Sequence, residues 1–384
     1  MIKKEITFIY SDSVEKSVCE MISAEAVKRG YKTVITDDKF ARCEIGWYCQ
    51  HINFPKYSKF SIIMLHDIIQ QYPNWPDIWL REPGNKYDIG FLPSLVWEKN
   101  WKTSSGYFYS RPRKGIFVTG WPKADRLKEY MGNEHVEDLK IKYGIDPLKP
   151  TVIYAPAWEN DGKQDDFVQS MLPLDVNIII KQAPWSDKFP DQLKNIAEMR
   201  ELHSNNVRVI QLDPQINILD AIMVSDVLVS EESSTMCECV MMGKPAISVC
   251  DWLIPDVTPS RFPADDYDFT IKTTKEDLTE CVENVLDKYD KYSDEAVLYS
   301  KEHFSNIGNC IPMMMDIVDS YVNGSECPYL SLIANNKEKV PLKKLLFFYK
   351  ERIIRTLYYN YKEQYLVFGA LWNFCRRIKN IFIK

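Results

Sequence analysis

Histidine is scarce in this chain, five in 384 residues, so a histidine standing at the end of a strand draws notice. Long apolar runs are missing as well. The longest uncharged run of the C-terminal tail, Gln364 to Cys375, falls far short of the roughly 20 residues that cross a bilayer, which excludes a spanning helix there. The N-terminal stretch Met-Ile-Lys-Lys-Glu-Ile-Thr-Phe-Ile-Tyr carries a Glu inside its short apolar run and lacks a small-residue cleavage pattern. A first strand is expected from it, not a signal peptide, and a cytosolic protein. The ten cysteines lack disulfide or zinc spacing: Cys237 and Cys239 make a C-x-C pair, but no second pair accompanies them. Reduced core cysteines are expected, with no metal and no cofactor.

What is present fits a folded protein. Apolar residues make up 45% and charged residues 27%, and 384 residues exceed what one core usually serves, so two domains are expected. Charge is distributed unevenly. Residues 339–384 hold eleven Lys or Arg against two Glu, a balance of +9, which leaves −15 for residues 1–338 of a chain whose net charge is −6. The acidic body argues against a nucleic-acid partner. The basic tail argues for an anionic surface.

Along the chain, strand-like and helix-like runs alternate. Glu5 to Tyr10 reads as a strand, Val14 to Arg29 as a helix stopped by Gly30, and Tyr31 to Ile35 as a second strand. Ser61 to Leu65 is another apolar strand, ending directly at His66. Ligands gather at the carboxyl ends of strands in open α/β sheets, so His66 is a functional candidate. Tyr87 to Ser94 and Gly115 to Leu127 each read as a strand entering a turn, and Asp125 is placed to cap the next segment. Between them, Trp75 to Arg111 has no period and is expected to be irregular. Asp146-Pro-Leu-Lys-Pro150 marks a boundary, after which Thr151, Val176 and Asn206 open further strands. Asp277 to Tyr289 and Ser293 to Val322 read as closing helices. The expectation is an α/β protein of two doubly wound, Rossmann-like domains, residues 1–147 and 148–325, facing a cleft in the GT-B manner. A basic helical tail, residues 338–384, completes it.

Ser225 to Val249 reads without a gap as strand, polar turn, helix and strand. Backbone N–H groups and the hydroxyls of Ser233, Ser234 and Thr235 would make the turn an anion site, and Glu238, a turn into the helix, would accept hydrogen bonds from a ribose. A structural reading competes, because Ser-Ser is also a common N-cap pair and a Glu in a first turn also suits the helix dipole. Gly243 suits a left-handed C-terminal cap, with Lys244-Pro245 stopping the helix. In the tail, Leu342, Leu345, Leu346, Tyr349, Ile353 and Leu357 share one helical face, with Trp372 and Arg376-Arg377-x-Lys379 beyond. Such a segment lies in a membrane interface or packs on the body through that face.

With these pieces in order, the chain from about Ser61 to Val249 resembles the CDP-glycerol:polyglycerophosphate glycerophosphotransferase family, which builds teichoic-acid-like and capsular polymers. His66, the turn Thr119-Gly-Trp-Pro-Lys-Ala-Asp125, Tyr154-Ala-Pro-Ala-Trp158 and the segment Asp226 to Pro245 carry the likeness. Two departures stand out. His66-Asp67 replaces the family's His-Gly, and Ala183-Pro184 replaces its His-Pro, so Lys181 is the expected substitute contact to the donor diphosphate, unless it is only a solvated strand-end lysine. Glu231-Glu232 also stands where the family has Asp-Tyr. The resemblance implies a transferase that moves glycerol-phosphate or ribitol-phosphate from a CDP-activated donor to a lipid-linked acceptor at the inner face of the membrane. On this reading His66 is the base and Asp67 or Asp125 orients it, while Lys181, Ser233, Ser234, Thr235 and Glu238 hold the donor. The alternatives are a glycosyltransferase using a UDP- or CMP-sugar and a catalytically silent binding member.

Overall fold

The computed structural model describes residues 2–49, 53–64, 68, 79, 82–130, 133–255, 268–355 and 370. In the first half, β1 (Glu5–Ile9), α1 (Ser13–Lys28), β2 (Lys32–Thr36), β3 (Cys43–Tyr48), β4 (Ser58–Met64), β5 (Ile89–Leu92), α2 (Leu95–Ser104) and β6 (Gly115–Val118) succeed one another. The strands pair in parallel in the order β2-β1-β3-β4-β5-β6. Asp12 starts α1 by accepting a hydrogen bond from the Glu15 amide at 2.9 Å, while the Glu15 carboxylate accepts one from the Ser11 amide at 2.6 Å. Within the stretch expected to be irregular, the described residues 82–111 are more regular than their sequence suggests. Ser94 caps α2, and Trp97 and Trp101, both about 1% exposed, anchor it to the sheet. Bulky aromatics hide the helical period there, because they are buried by size and not by spacing.

A 3-10 segment, Pro122–Tyr130, and α3 (Asn133–Tyr143) lead to the second half: β7 (Thr151–Tyr154), α4 (Lys163–Met171), β8 (Asn177–Ile180), α5 (Pro190–Leu202), β9 (Val209–Gln211), α6 (Ile218–Met223), β10 (Val227–Ser230), α7 (Thr235–Met241), β11 (Ala246–Val249), β12 (Ile271–Thr273), α8 (Leu278–Asp287) and α9 (Tyr289–His303). This sheet is also parallel, in the order β12-β11-β10-β7-β8-β9. Strand order runs outward in opposite directions from β7 and β10, so the loops after these two strands diverge and leave a crevice. The central strands β7, β8, β10 and β11 are buried throughout, as continuous β-branched runs covered on both faces should be.

The chain then returns to the first domain. In place of one helix from Ser293 to Val322, the backbone turns at Asn306 (φ 56°) and Gly308 (φ 81°) and starts again as α10 (Cys310–Asn323). Ile311, Met314, Met315 and Val318 of α10 join Ile6, Phe8, Val18 and Trp47 in the core of the first sheet. Arg29, the C-cap of α1, fixes the docking by donating to Asp316 at 2.6 Å and Asp319 at 3.1 Å. Residues 331–338 then run along the first domain, where the Leu332 amide donates to the Ile116 carbonyl at 2.8 Å. α11 (Leu342–Arg355) closes the described fold.

Candidate active site

A cleft of about 870 Å3 lies between the carboxyl ends of the two sheets. The first domain contributes Asp12 and Ser13 at the start of α1, and Trp121, Lys123 and Arg126 from the turn after β6. The second contributes the loops after β7, β8, β9 and β10, including Ala155 to Ala157, Lys181 to Trp185, and Glu232 to Thr235 with Glu238. The five residues expected on the donor side, Lys181, Ser233, Ser234, Thr235 and Glu238, therefore line one cavity. His66 and Asp67 lie outside the described residues.

Asp125 is not with them. Both of its carboxylate oxygens accept backbone N–H bonds at 2.7 Å, from Cys310 and Ile311, at the start of α10. A carboxylate at a helix N-terminus satisfies orphan amides and meets the favourable end of the dipole, so Asp125 joins the β6 turn to the returning helix and is taken up by that task. It does not line the cleft.

The turn between β10 and α7 is held from behind. Glu231, fully buried, accepts from the amides of Trp158 at 2.9 Å and Ala157 at 3.2 Å, and pairs with Lys163 at 3.2 Å. Lys163 also donates to the Trp158 carbonyl at 3.0 Å. The first of the two acidic residues that replace the family's Asp-Tyr thus points away from the cleft, with its charge countered. Ser233 does the helix capping, accepting from the Thr235 amide at 3.3 Å and from the Thr235 hydroxyl at 2.8 Å. Ser234 occupies the N-cap position, makes no capping bond and is exposed. Gly243 closes α7 at φ 70°, a conformation that L side chains avoid.

Two charged groups of the cleft differ sharply in availability. Lys181 is 4% exposed, and its ammonium donates to the carbonyls of Gln182 and Pro214, both at 2.9 Å. Burial lowers its pKa to about 8. It ties the β8 loop to the β9 loop and is no solvated strand-end lysine. Glu238 is 1% exposed; one carboxylate oxygen faces Lys123 at 3.4 Å, and Oε2 has no hydrogen-bond partner among the described residues. Burial raises its pKa, and Lys123 opposes the rise. A buried acceptor whose lone pairs meet no donor is costly.

Sequence reading missed the layer behind the β8 loop. Glu159 accepts from Tyr154 and Gln182 at 2.8 Å each, and from the Gln164 amide at 3.1 Å. Burial raises its pKa to about 7. These bonds orient Gln182, which precedes Ala183-Pro184, the pair noted above as a departure. A lone Glu in a loop gives no signal of this in sequence. Lys123 was legible only as part of the Gly-Trp-Pro-Lys turn.

The chain and its fold have counterparts among known proteins. Residues 86–305 match the family model described as CDP-Glycerol:Poly(glycerophosphate) glycerophosphotransferase. A teichoic acid poly(glycerol phosphate) polymerase of Bacillus spizizenii is 22% identical over 152 residues, covering 38% of this chain and 36% of that protein. The match thus spans about a third of the relative's length. The solved wall teichoic acid polymerase TagF superposes with a TM-score of 0.58 at 14% identity, over 84% of this chain and 89% of that one. The UDP-GlcNAc 2-epimerase of Neisseria meningitidis bound to UDP-GlcNAc gives 0.58 at 12% identity, over 83% and 100%. At such identities these structures establish the fold, a GT-B-like pair of parallel-sheet domains. Since the matched segment takes in more than half of the sequence, the chain belongs to the CDP-glycerol:poly(glycerophosphate) glycerophosphotransferase family.

Proposed function

We propose that the protein transfers glycerol-phosphate, or ribitol-phosphate, from a CDP-activated donor to a membrane-linked glycan or polyol-phosphate acceptor in cell-surface polymer synthesis. The observation that carries this reading is Glu238: a buried carboxylate with an unpartnered oxygen, opening on a cleft at the point where strand order reverses. A nucleotide's ribose supplies the hydroxyl donors that this oxygen lacks. Its phosphates then lie toward the exposed Ser234 and the amides of the adjoining turn, and the acceptor enters from the α1 side. His66 is the proposed base and Asp67 its orienting partner. Hydrogen bonds to a charged group contribute about 1.5–3 kcal/mol, so Glu238→Ala is expected to weaken donor binding about 10- to 100-fold. Glu238→Gln, which keeps an acceptor, is expected to lose less. The melting temperature without donor stays near that of the unaltered protein, because a buried carboxylate is removed with its contact. Thermal shift with CDP-glycerol reads the change directly. Stabilisation by a UDP- or CMP-sugar in place of CDP-glycerol would transfer the assignment to a glycosyltransferase, and no response to any of them would remove it.

The reading extends to work at the inner face of the cell membrane. Among the described residues no helix is long and apolar enough to cross a bilayer. α11 docks through Phe348, which is 7% exposed and lies 5.9 Å from the Tyr109 ring, while Leu342, Leu346, Tyr349 and Ile353 remain at least 55% exposed on another stripe. The sequence pattern predicts one apolar face for this helix. It has two, one for the body and one outward, and the outward stripe is bordered by Lys343 and Lys350. Leu357, Trp372 and the Arg376-Arg377-x-Lys379 cluster lie outside the described residues. An outward apolar stripe beside lysines suits an anionic interface. Leu346→Glu with Ile353→Glu is expected to weaken sedimentation with phosphatidylglycerol vesicles about ten-fold or more while sparing turnover of a soluble acceptor; equal sedimentation would count against the stripe.

A further inference from the structure

We infer that Lys123 grips the donor's diphosphate from the first domain and stabilises the charge that develops on the departing nucleotide, a role that rests on the transferase reading. A transferase that expels a nucleotide needs positive charge near the bridging and terminal phosphate oxygens, because that is where charge grows as the bond breaks. The Ser233–Thr235 turn supplies hydroxyl and amide donors but no full charge. Among the described residues lining the cleft, the cations are Lys123, Arg126 and Lys181. Lys181 is committed to two carbonyls and almost fully buried. Arg126 is engaged by other protein groups.

Lys123 differs from both. Its ammonium lies 3.4 Å from Glu238, a long contact for a charged pair, and 5.0 Å over the Trp121 ring, and its side chain is 21% exposed. It reaches across from the first domain to the residue assigned to the ribose on the second, so it stands beside the place where ribose joins phosphate. A diphosphate offers several anionic oxygens against the single carboxylate that holds Lys123 here, and a lysine's four-carbon stem allows the exchange. When the ammonium turns to the phosphates, the ribose hydroxyls take over at Glu238, so neither the buried carboxylate nor the lysine is left unpaired. The atoms balance: the acceptor hydroxyl gives its proton to the base and its oxygen bonds to the donor phosphorus, the phosphorus–oxygen bond to the nucleotide breaks, and the nucleotide leaves with that electron pair facing Lys123. Ala183 carries no charge into the cleft from the β8 loop.

The test compares CDP and UDP with cytidine and uridine as probes, by calorimetry or thermal shift, in the wild type, Lys123→Met and Lys123→Arg. In the wild type the diphosphate form binds more tightly than its nucleoside. Lys123→Met is expected to cut that preference about 10- to 100-fold while leaving nucleoside affinity unchanged, and Lys123→Arg to restore part of it. With CDP-glycerol, Lys123→Met should lower kcat by about 100-fold or more, beyond any change in KM. If the wild type prefers the diphosphates and Lys123→Met prefers them equally, the inference is overturned and the transferase reading stands. If the wild type discriminates neither CDP nor UDP from the nucleosides, both fall together. Because the Lys123 side chain is partly exposed, unaltered melting of the variant without nucleotide separates loss of binding from loss of fold.

Discussion

Lys163→Met is expected to destabilise the second domain by about 3–5 kcal/mol, a large share of the roughly 5–15 kcal/mol that keeps a typical domain folded. Lys163 and Glu231 are 1% and 0% exposed and meet at 3.2 Å. Their mutual attraction mainly offsets the cost of taking two charges out of water, so the intact pair adds little net stability. Removing one partner is different, because Glu231 then stays buried as an anion with only the amides of Ala157 and Trp158 and the Ser230 hydroxyl to hold it. Urea unfolding tracked by tryptophan fluorescence should register the loss. Adding Glu231→Gln to Lys163→Met is expected to recover most of it, since the uncompensated charge is gone. A single-variant loss below about 1 kcal/mol would mean that water reaches Glu231 and that the pair is not the fastener of the β10 turn.

That fastener shows what the chain discloses before it folds and what it does not. The alternation of strands and helices was legible because buried parallel strands such as Val227–Ser230 and Asn177–Ile180 are short β-branched runs with polar turns at their ends. The cleft was legible with it, since carboxyl ends of strands in two such sheets face each other, and the five donor-side residues come from those ends. What stayed hidden depends on contacts distant in sequence. Asp125 reads as a turn cap, yet its partners are 185 and 186 residues away in α10. Glu231 reads as an acidic neighbour of the phosphate site, yet it turns inward because Lys163, 68 residues earlier, offers a buried ammonium. Lys181 looks like a solvent lysine at a strand end until the Pro214 carbonyl arrives beside it. Charged residues in loops carry no periodicity, so their direction is set by partners that only tertiary structure supplies. Hydrophobic pattern specified the frame, and the frame then chose among the meanings of each charge.

Replacing His66 with alanine is expected to lower turnover about 100- to 10,000-fold while leaving donor affinity nearly unchanged. The reaction needs a base for the acceptor hydroxyl whose proton affinity is matched to neutral pH. No histidine lines the cleft among the described residues, and its carboxylates there are Asp12, Glu232 and Glu238. Glu238 faces Lys123, and Asp12 already accepts from the Glu15 amide at 2.9 Å as the cap of α1. His66 comes two residues after β4 in the sequence, and the loops after β1 and β6 of the same parallel sheet contribute Asp12 and Lys123 to the cleft. Asp12, on the α1 side where the acceptor enters, is the competing base, and the two assignments differ in measurable ways. With His66 as base, kcat/KM falls as pH drops through about 6.5, where an imidazole gains its proton, and the residual activity of His66→Ala lacks that limb. With Asp12 as base, Asp12→Asn removes activity while His66→Ala leaves it. Full turnover in His66→Ala would therefore move the proton transfer to the start of α1 and leave the donor half of the site as described.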